Sequence, residues 1–183
     1  MKPDAAALEA AKNAVIPDVL PERGEPLRVL FCGINPSLYS AATGHHFARP
    51  GNRFWPALYR SGFTPRQLTP AEQEELPGCG LGITNIVARA TAQAAELSAA
   101  ELRDGGAMLL TVAEKYQPRF VAIAGVTAYR TAFARPRAAI GPQDQALGPA
   151  RLWILPNPSG LNAHWTLPAL TTAFAELKNH LSP

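Results

Sequence analysis

The feature that most constrains this chain is an alternation of short apolar runs with stretches of helical spacing. Residues 27–32, 80–87, 120–124 and 152–155 are apolar, rich in β-branched or aromatic side chains, and too short for buried helices. Between them, Ser98-Ala99-Ala100-Glu101 reads as a capping box opening a helix through Leu102, Leu109, Leu110 and Val112 to about Tyr116, before Pro118. Gly125 turns the chain into a helix through Tyr129 and Phe133, and Thr166 caps a last helix carrying Leu170, Phe174 and Leu177. Residues 53–60 place Phe54 and Leu58 on one helical face, and Thr69-Pro70 starts another short helix. Strands alternating with helices predict a three-layer α/β/α fold around a central, mostly parallel sheet of four to five strands.

The rest of the chain is irregular by the same reading. Residues 35–52 lack a period and are broken by Gly44, Pro50 and Gly51, which predicts a long functional loop. Residues 134–150, with Pro136, Pro142 and Pro149, read as an irregular connection. Residues 4–15 suit a helix ending before Pro17, so 1–26 is expected to be a peripheral helical arm and linker. A single domain then occupies 27–183, a length that suits one core.

In sheets of this kind ligands bind beyond the carboxyl ends of the strands. Two Asn-Pro motifs stand at such ends: Gly33-Ile34-Asn35-Pro36-Ser37 after the first apolar run and Asn157-Pro158-Ser159-Gly160 after the last. One Asn-Pro is ordinarily a turn, in which proline stops a strand and the asparagine satisfies nearby backbone. Two of them, more than a hundred residues apart yet directed to one edge of the sheet, point to a shared pocket.

Composition excludes several classes. Hydrophobic residues make up 47% of the chain, enough for a core, but no apolar run approaches the ~20 residues of a membrane span. Asp4 and Glu9 fall where the apolar stretch of a secretory signal would lie, so a cytoplasmic protein is expected. Cys32 and Cys79, the only cysteines, suit free thiols in a reducing compartment. A net charge of +3 permits a polyanionic partner, and Arg49, Arg53, Arg60 and Arg66 crowd one stretch.

Four ordered motifs carry a resemblance to a known family. They are Gly33-Ile34-Asn35-Pro36; Gly44-His45-His46-Phe47 followed by Pro50-Gly51-Asn52-Arg53-Phe54-Trp55; Gly82-Ile83-Thr84-Asn85; and Leu155-Pro156-Asn157-Pro158-Ser159-Gly160-Leu161. Over roughly residues 27–178 the chain resembles the mismatch-specific uracil-DNA glycosylase and thymine-DNA glycosylase family. That resemblance implies a uracil-DNA glycosylase-like fold and an enzyme that flips uracil out of a G·U mispair and hydrolyses its glycosidic bond without lyase activity. It implies no cofactor or metal, double-stranded DNA with a mispaired uracil as partner, a monomer without an obligate protein partner, and no membrane.

The resemblance also assigns roles. Asn35 would hold the attacking water at C1′, orienting it without acting as a true base. The backbone beside Ile34 would contact the flipped base, Phe47 would stack on it, Ser40 would lie near the pyrimidine 5-position, and Asn157 would help hold the nucleotide or its own loop. Gly160 and Leu161 would form a wedge that fills the vacated stack, with Asn162 facing the widowed guanine. Ser159, Asn52 and Arg53 would contact phosphates. Two positions depart from the family pattern: Ala88 stands where many relatives carry an acid, and Ser37 where several carry glycine. A carboxylate at 88 would be expected to raise the rate.

Other readings compete. His45, His46 and His164 lack the fixed spacing of a metal site. Ser159, His164 and Asp144 have the residue types of a hydrolytic triad but no Gly-x-Ser-x-Gly turn. The glycines at 78, 80 and 82 precede a strand, the wrong context for a dinucleotide fingerprint. The remaining rival is a lesion-binding protein that uses the same pocket without cleaving the bond.

Overall fold

The computed structural model describes residues 1–182. Five strands form one sheet in the order β2-β1-β3-β5-β4. These are β1 (Val29–Gly33), β2 (Leu81–Asn85), β3 (Phe120–Ala124), β4 (Gly141–Leu147) and β5 (Ala150–Leu155). Four run parallel; β4 is an antiparallel edge strand beside β5.

The period of two along each central strand builds both faces at once. Val29 and Phe31 of β1 pack with Phe120, Ala122, Trp153 and Leu155 against α3 (Phe54–Arg60) and α6 (Leu167–Asn179). Leu30 and Cys32 point the other way, with Val121, Ile123, Leu152 and Ile154, toward α4 (Ala99–Tyr116) and α5 (Val126–Ala132). The fold is therefore the α/β/α sandwich the alternation predicted. The Ser98 and Thr166 caps are present, each side-chain oxygen accepting a backbone N–H of its helix. No helix among the described residues is long and apolar enough to cross a membrane.

Three local expectations are corrected. Residues 35–52 are not loop throughout: α2 (Leu38–Thr43) lies inside them, with Ser37 Oγ accepting from Ser40 N as its N-cap. Residues 134–150 contain β4, buried only at Gly141 and Leu147 and alternating exposed with half-buried positions between, which pairs with β5 only near its ends across an irregularity between Pro142 and Ala146. Proline and polar residues are tolerated there because an edge strand needs only one partner. The N-terminal helix α1 (Ala5–Ala10) stops early and buries nothing, while the following residues fold back on to the domain. Val19 is fully buried and bridges Ile83 on the outer edge of β2, so the segment is not simply peripheral.

Candidate active site

Beyond the carboxyl ends of β1, β2, β3 and β5 lies a cavity of about 350 Å³. That volume sits at the small end of the range for small-molecule pockets, ~300–1,000 Å³. Ile34, Asn35, Ser40, Phe47, Asn52, Asn157, Ser159 and Leu161 all line it, so most of the residues singled out in the sequence are brought together.

Asn35 is the most constrained of them. Its Nδ2 donates to Arg89 O at 3.0 Å and to Thr91 Oγ1 at 2.8 Å. The carbonyl can only accept, so the sense of the amide is fixed. Thr91 is buried and passes its own proton to Gln93 O at 2.8 Å, leaving its oxygen to receive Asn35. Among the described residues nothing donates to Asn35 Oδ1, and no buried side-chain oxygen lacks a partner. The oxygen is therefore open to the cavity side, a ready acceptor.

The floor and walls follow from close packing. A Cβ on Gly33 would lie 2.5 Å from Asn85 Oδ1 and 3.3 Å from the Phe47 ring, so only glycine lets both side chains close over the end of β1. Phe47 has φ 51°, a backbone state that a bulky residue rarely adopts, and its ring stacks on Phe54 with centroids 4.1 Å apart. Its loop is held at His46: Trp55 Nε1 donates to the His46 carbonyl, Gln73 Oε1 accepts its N–H, and the ring Nε2 faces Pro17 O at 2.8 Å. Burial lowers the His46 pKa, favouring a neutral ring with the proton on Nε2, and Nδ1 lies 3.4 Å from Asn85 Nδ2. Ser40 is buried, its Oγ accepting from Ala48 N, and the Ile34 carbonyl accepts from Val87 N.

The second motif is organised differently. Asn157 Oδ1 accepts from Ser159 N at 3.0 Å, Ser159 Oγ accepts from Leu161 N at 3.2 Å, and Asn162 Nδ2 donates to Asn157 O at 3.0 Å. A Cβ on Gly160 would come within 2.7 Å of Gly51 O, so glycine joins this loop to the 44–52 loop. Leu161 projects from the result with 71% of its surface exposed.

Two expected roles change. Arg53 is spent inside the protein: its guanidinium donates to the carbonyls of Pro158, Ser159, Asn162 and Trp165. This is a strut for the second loop and not a free phosphate ligand. Ala88 is exposed and is not among the described residues that line the cavity. Asn52 keeps its Nδ2 free while Oδ1 accepts from Phe54 N.

Sequence reasoning missed Thr91, Asn85 and Arg49 as site residues. Asn85 stood inside a quoted motif but was given no role, and Thr91 follows Arg89 without a signal of its own. Arg49 is exposed at the rim and takes part in no ion pair among the described residues.

The structure is thus an α/β sandwich with a small, asparagine-lined cavity at its strand ends and an exposed leucine on the cavity's lining. The family model described as the uracil DNA glycosylase superfamily matches residues 21–181, and the chain belongs to that superfamily, whose members are DNA glycosylases. Among solved structures, the fold is similar to the solution NMR structure of a "putative Uracil DNA glycosylase" from Methanosarcina acetivorans. The TM-score is 0.61 at 18% identity, over 91% of this chain and 98% of that one.

Proposed function

We propose that this protein is a mismatch-specific DNA glycosylase that turns uracil out of a G·U pair in duplex DNA and hydrolyses its N-glycosidic bond. The observation that carries the reading is the fixed amide of Asn35, whose donors are tied to Arg89 and Thr91 while its oxygen is left for a water. In the reaction, the bond from C1′ to the base breaks with its electron pair leaving on the base. The water oxygen bonds C1′ as positive charge develops on the sugar, and its proton passes to solvent. Asn35 Oδ1 orients that water and directs a dipole at the charge.

Phe47 stacks on the flipped base, worth about 1–3 kcal/mol without regard to base identity. Discrimination falls to Asn85, whose oxygen accepts from the uracil N3–H while its amide donates to O4, an edge that cytosine reverses. Leu161 fills the vacated stack, and the Asn162 side-chain oxygen faces the donors of the widowed guanine. Ser40 flanks the 5-position. Arg49, Asn52 and Ser159 are the phosphate contacts; of these only the Arg49 cation neutralises a phosphate, steepening the log–log salt slope by about 0.9.

Among the described residues the cavity wall holds no aspartate or glutamate, which favours one second reading: a lesion binder with little or no turnover. Incubation with a duplex carrying one G·U pair, followed by alkaline cleavage, separates the two. Scission at uracil supports the enzyme. Tight, mispair-specific binding without an abasic product supports the binder and overturns the proposal.

A further inference from the structure

The segment at residues 13–19 lies before the region matched by the superfamily, which begins at residue 21, yet it touches two of the loops that line the cavity, 85–91 and 44–52. Asn13 has φ 62°, a left-handed state that asparagine tolerates, and there the chain leaves α1 and turns on to the 85–91 loop. Asn13 N donates to Ala90 O at 2.9 Å, Ala90 N donates back to Ala14 O at 2.9 Å, and Val15 bridges Arg89. Arg89 in turn donates from its guanidinium to Asn13 Oδ1 at 3.0 Å. These contacts grip the residue whose carbonyl receives the Asn35 amide. Ile16 is buried and lines the cavity itself. Pro17 O faces the His46 ring and thereby reaches the 44–52 loop. Val19 and Ile83 exchange backbone bonds of 2.8 and 2.9 Å, anchoring the segment along the edge of the sheet.

We propose that residues 13–19 are a positioning clasp: through Arg89 they set the rotamer of Asn35, and through Ile16 and Pro17 they set the wall of the base pocket. The inference rests on the glycosylase reading for its rate effect but not for its geometry. None of these residues reaches a reacting atom. Their contribution is to hold the water-binding oxygen still, and a misplacement of ~1 Å at a reacting group is enough to cost on the order of a hundredfold in rate.

The test uses the full chain. Asn13→Gly keeps the left-handed turn and removes the acceptor of Arg89, whereas Asn13→Asp keeps both; Ile16→Ala opens the wall. Three quantities are read. They are single-turnover release of uracil from a G·U duplex, affinity for the same duplex carrying 2′-fluoro-deoxyuridine, and solvent exchange of the Asn35 side-chain amide protons by NMR. The expected result for Asn13→Gly is a loss of about tenfold in release, unchanged affinity and faster Asn35 exchange, with all three restored in Asn13→Asp. Unchanged release and exchange in both Asn13→Gly and Ile16→Ala overturns the clasp. So does a parallel fall in affinity, which would make the segment a DNA contact. If the unaltered protein releases no base, the glycosylase reading fails separately and Asn35 exchange alone decides the clasp.

Discussion

The two Asn-Pro loops share a sequence and differ in where their hydrogen bonds go. Asn35 reaches out of its own loop, giving both amide hydrogens to the neighbouring 85–91 loop and turning its oxygen to the cavity. Asn157 turns inward: its oxygen caps Ser159 N and its carbonyl receives Asn162, and Arg53 braces the loop from outside. The dipeptide alone stops a strand; the remaining donors and acceptors decide whether the amide acts on a ligand or on its own loop.

The largest expected effect breaks the first loop. Asn35→Ala removes the side chain proposed to hold the water and should lower base release by about 10²–10³-fold, as losing one preorganised polar group does. Binding to the mispair should persist. Near-normal release in single-turnover assays would put the catalytic centre elsewhere.

Arg53→Met tests whether the second loop depends on its brace. The carbonyls of Pro158, Ser159, Asn162 and Trp165 lose their donor, so we expect a loss of about 1–3 kcal/mol in stability and weaker flipping. The slope of affinity against salt should not change. A slope shallower by about 0.9 would instead restore Arg53 as a phosphate contact.

Leu161→Ala removes only the projecting tip of the same loop, leaving the loop itself intact. Flipping should weaken by several-fold, about 1 kcal/mol, and more where flanking G·C pairs resist opening. Equal activity across flanking sequences would argue against a wedge.

Acid offers a milder way to loosen the first loop. The Arg89 guanidinium hydrogen-bonded to Glu101 lowers that carboxyl from 4.5 to about 2. Because the folded value is depressed, the stabilisation is fully present above pH 4.5 and is lost as pH falls toward 2. Circular dichroism over that interval should show acid destabilisation that is reduced in Glu101→Gln.

The sequence showed which segments meet but not how each side chain is used. Strand ends, both Asn-Pro motifs and the caps at Ser98 and Thr166 were legible because they depend on local chemistry. β4 was hidden because an edge strand can carry Pro142 and polar residues, and α2 because Ser37 was weighed as a departure and not as a cap. Thr91 and the strut role of Arg53 were not readable, since each depends on partners between 56 and 112 residues away. An arginine in a basic stretch invites a phosphate until its donors are counted.

The smallest expected effect concerns Ala88, the position where the resemblance leads one to expect an acid. A carboxylate there would stabilise positive charge on the sugar, but position 88 is exposed and absent from the cavity wall, so the charge would be hydrated and screened. Ala88→Asp should therefore speed single-turnover release by only about two- to threefold, under ~1 kcal/mol of barrier. Its neighbour Arg89 is already paired with Glu101, so the new acid finds no ready cation to pull it from water. A tenfold gain would mean that the 85–91 loop turns residue 88 inward when DNA binds, and that the first loop shares its water with a second group. No gain on a folded variant would leave Asn35 as the sole orienter, which is the sharper form of the contrast between the two loops.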